Sequence, residues 1–339
     1  MGLTRREFVK LCMGSAMGAY LLSVLGPDFG NQLAFAADEK PVVIWLQGAS
    51  CTGCSISLLN NVDPPIEKVL LDVISLRYHP NLMAASGHLC GELLEEIARD
   101  YKDRFFLVIE GAIPIKDNGI YCTIAENKNI ELTMFQAVNI LGNAATAVIA
   151  AGNCAAFGGI PGAAPNPTEA VAVNKVVTKK PVINISCCPM PPGHFLGTVV
   201  YVLTTNQVPE LDRLGRPKMF YPKPIHEECF RREYFDKGQF AQYPGEEGCL
   251  AMLGCKGFWA MSDCNKRGWN NNVNWCIKAG APCQACSEPL FPDESEPFYG
   301  LFPITNKQGV SYNEVVPRQT GFFEEPLENR IRERKHRVE

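Results

Sequence analysis

An α/β fold is predicted for this chain: a doubly wound parallel sheet followed by a smaller, irregular segment rich in cysteine. Three observations predict it. From Lys40 to about Gln207 short apolar runs rich in β-formers alternate with helical patterns, and after about Pro209 that periodicity is lost. The fifteen cysteines fall mostly at the ends of the apolar runs in the first half and at short mutual spacings in the second. Strands alternating with helices give a mainly parallel sheet covered on both faces, here a flavodoxin-like one, whose ligands bind outside the carboxyl ends of the strands.

The elements follow in order. The N-terminus pairs Arg5 and Arg6 with Phe8 and Lys10, then runs through apolar residues to a small-residue cleavage site near Ala36. That pattern predicts a twin-arginine export signal over 1–36, removed from the mature chain. An amphipathic first helix or a membrane anchor is the alternative, but the run is shorter than the about 20 residues a span needs. The predicted sheet domain covers 37–208. Its strands are "PVVIWL", "VISLRY", "FFLVIE", "TAVIAAG" and "PVINIS", each bounded by Gly, Pro or polar turns. Between them "GHLCGELLEEIARDY" sets Leu89, Leu93 and Ile97 on one helical face, and "TEAVAVNKVVTKK" starts at a Thr168 cap. Residues 209–292 form the predicted irregular domain, and 293–339 a charged, solvated tail.

Hydrophobic residues make up 46% of the chain, enough for one large or two ordinary cores, and dominant disorder is excluded. The formal net charge is −4 with no block of one sign, so nucleic acid and anionic membranes are not indicated as partners. No segment after the signal is apolar enough to cross a bilayer.

Cysteine carries the chemical information. Cys51 and Cys54 follow the first strand, Cys154 the fourth and Cys188 the fifth, so four thiols meet at one sheet edge. Gly48, Gly53 and Gly152 let the backbone approach a bulky inorganic group. A redox pair of the thioredoxin kind or a zinc site is the alternative. The second half holds two further sets: His226 with Cys229, Cys249 and Cys255, and Cys264 with Cys276, Cys283 and Cys286. Four soft or borderline ligands at short spacing are what cubane iron–sulfur clusters require. Disulfides remain an alternative, since fourteen cysteines are left once Cys12 departs with the signal. Zinc remains another for the second half.

The stretches "SCTGC", "EGAIP", "GNCAAFGG" with "PNPT", "CCPMPP", "HEECFRR", "LGCKG" and "AGAPCQACSEP" resemble, over nearly the whole chain, the small subunit of periplasmic nickel–iron hydrogenases, and most closely the nickel–iron–selenium subgroup. Single pieces also occur in quinone-reductase subunits related to respiratory complex I, and such a subunit, or an exported disulfide-rich binding protein, is the competing reading. The resemblance implies an electron-transfer subunit of a heterodimeric hydrogenase. Its Ni–Fe centre lies in a separate large subunit, and a multihaem cytochrome c is the expected electron partner. It implies a proximal cluster on Cys51, Cys54, Cys154 and Cys188, a distal one on His226, Cys229, Cys249 and Cys255, and a medial one between them.

Most members carry proline where this chain has Cys276. The fourth medial cysteine therefore implies [4Fe–4S] rather than [3Fe–4S], with Cys264, Cys283 and Cys286, giving three [4Fe–4S] clusters. Ile56 stands where the family often has glutamate. Gly53 and Gly159 stand where oxygen-tolerant members have cysteines, so their modified proximal cluster is not expected. Cys187 replaces a glycine beside Cys188; Cys188, directly before Pro189, is taken as the ligand. Cys90 and Cys122 match no ligand position and are expected to be structural thiols. The mature chain is expected in the periplasm without a membrane helix.

Overall fold

The structure, a computed structural model, describes residues 40–299 apart from 63, 128, 129, 206, 270, 271 and 297. The predicted export signal and the tail from residue 300 lie outside the described residues.

Five strands, β1 (Val42–Gln47), β2 (Ser75–Tyr78), β3 (Phe105–Glu110), β4 (Ala147–Ala151) and β5 (Val182–Ile185), form one sheet in the order β2-β1-β3-β4-β5. Every neighbouring pair is parallel. The five apolar runs are the five strands, and the order is that of a flavodoxin-like sheet. β3 and β4 are apolar at nearly every position because both their faces are covered. Side chains alternate between two cores. Val42, Ile44 and Leu46 of β1 join one cluster with Leu94, Ile97, Val138 and Leu141, and Val43 and Trp45 join the other with Phe195, Leu196 and Val200.

Helices α1 (Gly53–Leu59), α2 (Gly87–Asp100), α3 (Met134–Ala144), α4 (Gly152–Phe157) and α5 (Pro192–Thr205) supply those layers. α1 and α4 begin within a few residues of the strand ends, so each brings a cysteine to the sheet's carboxyl edge. α2 lies where its periodicity puts it, but its buried face is rotated from the predicted one. Cys90, Leu94 and Ile97 face the core while Leu89 is 67% exposed. Tyr78 and Cys90 are hydrogen-bonded, and their pairing fixes that rotation. No helix begins at Thr168. Asn166 Oδ1 accepts the Ala170 amide at 2.7 Å, and Ala170–Val171 pairs antiparallel with Ile113–Pro114, leaving a single turn at Val173–Val176. α3 starts from a capping box: Thr133 Oγ1 accepts from the Gln136 amide, and the Gln136 side chain accepts from the Thr133 amide.

Among the described residues beyond Val208 the chain makes only short helical turns, at Ile225–Glu228, Arg232–Asp236, Leu250–Leu253, α6 (Cys264–Arg267) and Asp293–Ser295. Its core mixes Ile225, Leu250, Trp275 and Ile277 with three thiols, Cys255, Cys264 and Cys283. Polar bonds tie this half to the sheet. His194 of α5 meets Asp263 at 2.6 Å with both side chains buried, and the other Asp263 oxygen accepts from Arg267. Asn153 Nδ2 donates to the carbonyls of Cys286 at 2.9 Å and Glu288 at 2.8 Å.

Candidate metal centres

At the sheet edge, β1 ends at Gln47 and the chain turns so that Cys51 is exposed and Cys54 buried. The turn is held from below by Glu110, the last residue of β3. Its Oε1 accepts the Cys54 amide at 2.9 Å, and its Oε2 accepts from Trp45 Nε1, Gln47 Nε2 and the Ser55 hydroxyl. Cys154 lies in α4 and Cys188 just past β5. Backbone comes in tightly around these sulfurs. Gly152, at φ +87°, has no room for a Cβ because the Cys54 sulfur fills that space, and a Cβ on Gly159, at φ +51°, would meet Cys154 at 2.8 Å.

The four thiols are mutual neighbours. Burial, then the charges of Glu110, Cys188 and Cys154, push the Cys54 thiol well up. Burial and then Cys286, Cys154 and Cys51 push Cys188 up to about 12. Burial raises Cys154 as well. Such crowding is stable with the protons on, or with a cationic group that replaces them.

The second set surrounds its own enclosure, lined by His226, Cys229, Cys249 and Cys255 with Arg231 and Phe258. The His226 ring lies 4.0 Å from that of Phe258 and edge-on to Phe235 at 4.6 Å. Burial, then Arg232, lowers its pKa to about 4, so the imidazole is neutral and fit to ligate. Burial raises Cys249 to about 11 and Cys255 to about 12. The Arg231 amide donates to the Cys229 sulfur at 3.4 Å.

The third set, Cys264, Cys276, Cys283 and Cys286, lines one cavity of about 390 Å³. Cys276 sits against Cys283. Cys188 reaches this cavity from the sheet side and Ile225 from the side of the second set, so the three sets stand in a row. Lys256, next to Cys255, donates its amide to the Cys283 carbonyl at 2.7 Å and closes the gap between the second and third sets.

The second and third sets each line a space of their own, and the thiols of the first set act on one another through their charges. All fourteen described cysteines are free thiols. Among the described residues no three His, Cys, Asp or Glu groups converge on a point as a single metal ion would need. The second and third sets line enclosed spaces instead, which suits a multi-iron group better than a lone zinc. Cys90 is buried in the sheet core and Cys122 packs against it, as expected of structural thiols. The sequence pattern did not locate Cys187. Its side chain faces the third set, not the first.

Comparison with known proteins separates the two related families. Residues 51–202 match the family "NADH ubiquinone oxidoreductase, 20 Kd subunit", so the sheet half alone is shared with that family. Residues 221–299 match the C-terminal family of the NiFe/NiFeSe hydrogenase small subunit. The periplasmic [NiFeSe] hydrogenase small subunit of Desulfomicrobium baculatum is 41% identical over 314 residues, 88% of this chain and 99% of that one. The chain belongs to the NiFe/NiFeSe hydrogenase small subunits. The periplasmic [NiFe] hydrogenase small subunit 1 of Nitratidesulfovibrio vulgaris is likewise 41% identical, over 88% of this chain and 93% of its own. A solved structure of the reduced, active Ni-Fe-Se hydrogenase from Desulfomicrobium baculatum superposes with a TM-score of 0.75 at 42% identity, covering 78% of this chain and all of its own. A hydrogenase small subunit transfers electrons within an enzyme whose catalytic site is in the large subunit, and its family carries iron–sulfur clusters. Among the described residues no helix is long and apolar enough to cross a membrane.

Proposed function

We propose that this small subunit holds three [4Fe–4S] clusters in a row and links the large subunit's Ni–Fe site to an external carrier. The proximal cluster would be held by Cys51, Cys54, Cys154 and Cys188, the medial by Cys264, Cys276, Cys283 and Cys286, and the distal by His226, Cys229, Cys249 and Cys255. When bound, each cluster supplies a one-electron store. The observation that carries the reading is the single cavity reached by Cys188 of the sheet edge and by all four cysteines of the third set, because it joins two thiol sets into one line.

The chain's own residues do the rest. Glu110 fixes the Cys54 turn, Gly152 and Gly159 leave room for sulfur, and burial excludes water from Cys54, Cys249, Cys255, Cys264 and Cys283. At the other end of the row, Phe235 and Phe258 orient the neutral His226 ring. A neutral ligand in place of a thiolate makes that cluster less negative. On α1, just past the exposed Cys51, Ile56 is 52% exposed, and shortly past α4 Ile160 is 58% exposed. Exposed apolar side chains at the sheet's carboxyl edge suit a permanent partner, and the large subunit is their occupant in this reading. The relatives named above are periplasmic. With the twin-arginine pattern of the first 36 residues this supports export of the folded subunit to the periplasm, where a multihaem cytochrome c is the electron carrier.

Iron and acid-labile sulfide analysis of the purified heterodimer tests the proposal. About thirteen irons per heterodimer are expected, about twelve in the small subunit and one in the Ni–Fe site, and about twelve in all would mean a three-iron medial cluster. A chain without iron would overturn it.

A further inference from the structure

Cys187 and Cys188 are consecutive in the bend just past β5, and their side chains enter different sets. Cys188 joins the proximal set. Cys187 turns the other way into the medial cavity, where it is fully buried and lines the same space as Cys264 and Cys286. It is a fifth sulfur at a site whose four ligand positions are already filled. Its backbone stands at φ +96°, a region that favours glycine, so holding a cysteine there strains the chain. Ser262, also buried, accompanies it: the Ser262 hydroxyl lies 3.1 Å from the Cys264 sulfur and 3.9 Å from Cys187.

We propose that Cys187 remains a thiol and donates its S–H to the medial ligand sulfur of Cys286, with Ser262 donating to that of Cys264, so that this pair sets the medial cluster's potential. The proposal rests on the cluster assignment above. The stoichiometry supports it: a cubane takes one ligand per iron, which leaves the fifth sulfur no iron to bind. A hydrogen bond to a ligand sulfur stabilises the more negative, reduced cluster and raises its potential. Cys187 is therefore a positioning and tuning residue, and it lies one peptide from a proximal ligand.

The test is a redox titration of the purified heterodimer followed by EPR, with iron counted in the same samples. Cys187→Gly suits the positive φ and should fold without difficulty. Its iron content is expected to match wild type, with one of the three midpoint potentials lower and the other two unchanged. Cys187→Ser, which restores a donor, should recover part of that shift. An unchanged set of midpoints overturns the proposal. Loss of one iron per chain with a three-iron EPR signal also overturns it, because Cys187 would then be a ligand. Wild-type protein without iron overturns the cluster assignment itself, and this inference with it.

Discussion

Cys276 sets the proposed medial cluster type, because it is the fourth sulfur around that cavity and stands against Cys283. Replacing it by the proline that most relatives carry removes one ligand and one iron. Cys276→Pro is expected to lower the small subunit's count from about twelve to about eleven irons and to give a three-iron EPR signal near one spin per protein. If oxidised wild type already shows that signal at full intensity, the four-iron medial assignment fails. At this scale the sequence was legible where spacing carried the information. The pairs Cys51–Cys54 and Cys283–Cys286 announce themselves, and strand-end placement added Cys154 and Cys188. Cys187 was less legible, because the bend at φ +96° that turns its side chain away from that of Cys188 leaves no mark in the spacing. Glu110 was visible only as part of "EGAIP", since nothing in a sequence shows that a carboxylate at a strand end takes a hydrogen bond from an amide 56 residues earlier.

Among the elements, α5 and α6 meet at the buried Asp263, which contacts His194 of α5 at 2.6 Å and forms an ion pair with Arg267 of α6. Asp263 is flanked by His194 and Arg267, and although burial works against it these two partners hold its carboxyl at about 2, below its ordinary value of 3.8. A depressed carboxylate stabilises the fold above its unfolded pKa of 3.8, and that contribution is lost as pH falls through about 2. Asp263→Asn leaves Arg267 buried without its countercharge and should cost about 3–5 kcal/mol, read as a lower midpoint in denaturant at neutral pH. An unchanged midpoint would mean Asp263 is not holding the halves together. The five strands were legible because buried parallel strands are continuous apolar runs. The face of α2 was misjudged because cysteine was not weighed as a core residue against leucine, although a small thiol with a Tyr78 partner packs better there than Leu89. Around Thr168, an asparagine turn two residues earlier prevented a helix that composition favoured.

On the scale of the whole molecule the two halves are stabilised differently. The sheet half has two cores of aliphatic and aromatic side chains, whereas the core beyond Val208 counts Cys255, Cys264 and Cys283 among its buried members and has only single turns around them. Where thiols stand in for hydrocarbon, bound clusters contribute folding energy directly. Removing iron with a chelator under reducing conditions should therefore raise amide hydrogen exchange across 225–286 while β1, β3 and β4 stay protected. Uniform loss of protection, or none, would contradict that division. Irregular segments of this kind are the hardest to read in advance, since their shape follows from what the cysteines hold and not from any backbone period.

Asn153 finally bears on how steadily the row is spaced. The residue beside Cys154 grips the carbonyl of Cys286 itself, so the amide of one site and the ligand strand of the next are joined through a single side chain. Breathing of either half carries both ends of that link along together. Electron tunnelling falls off exponentially with the gap it must cross, so in the proposed relay this link would help to hold the spacing between the first two clusters.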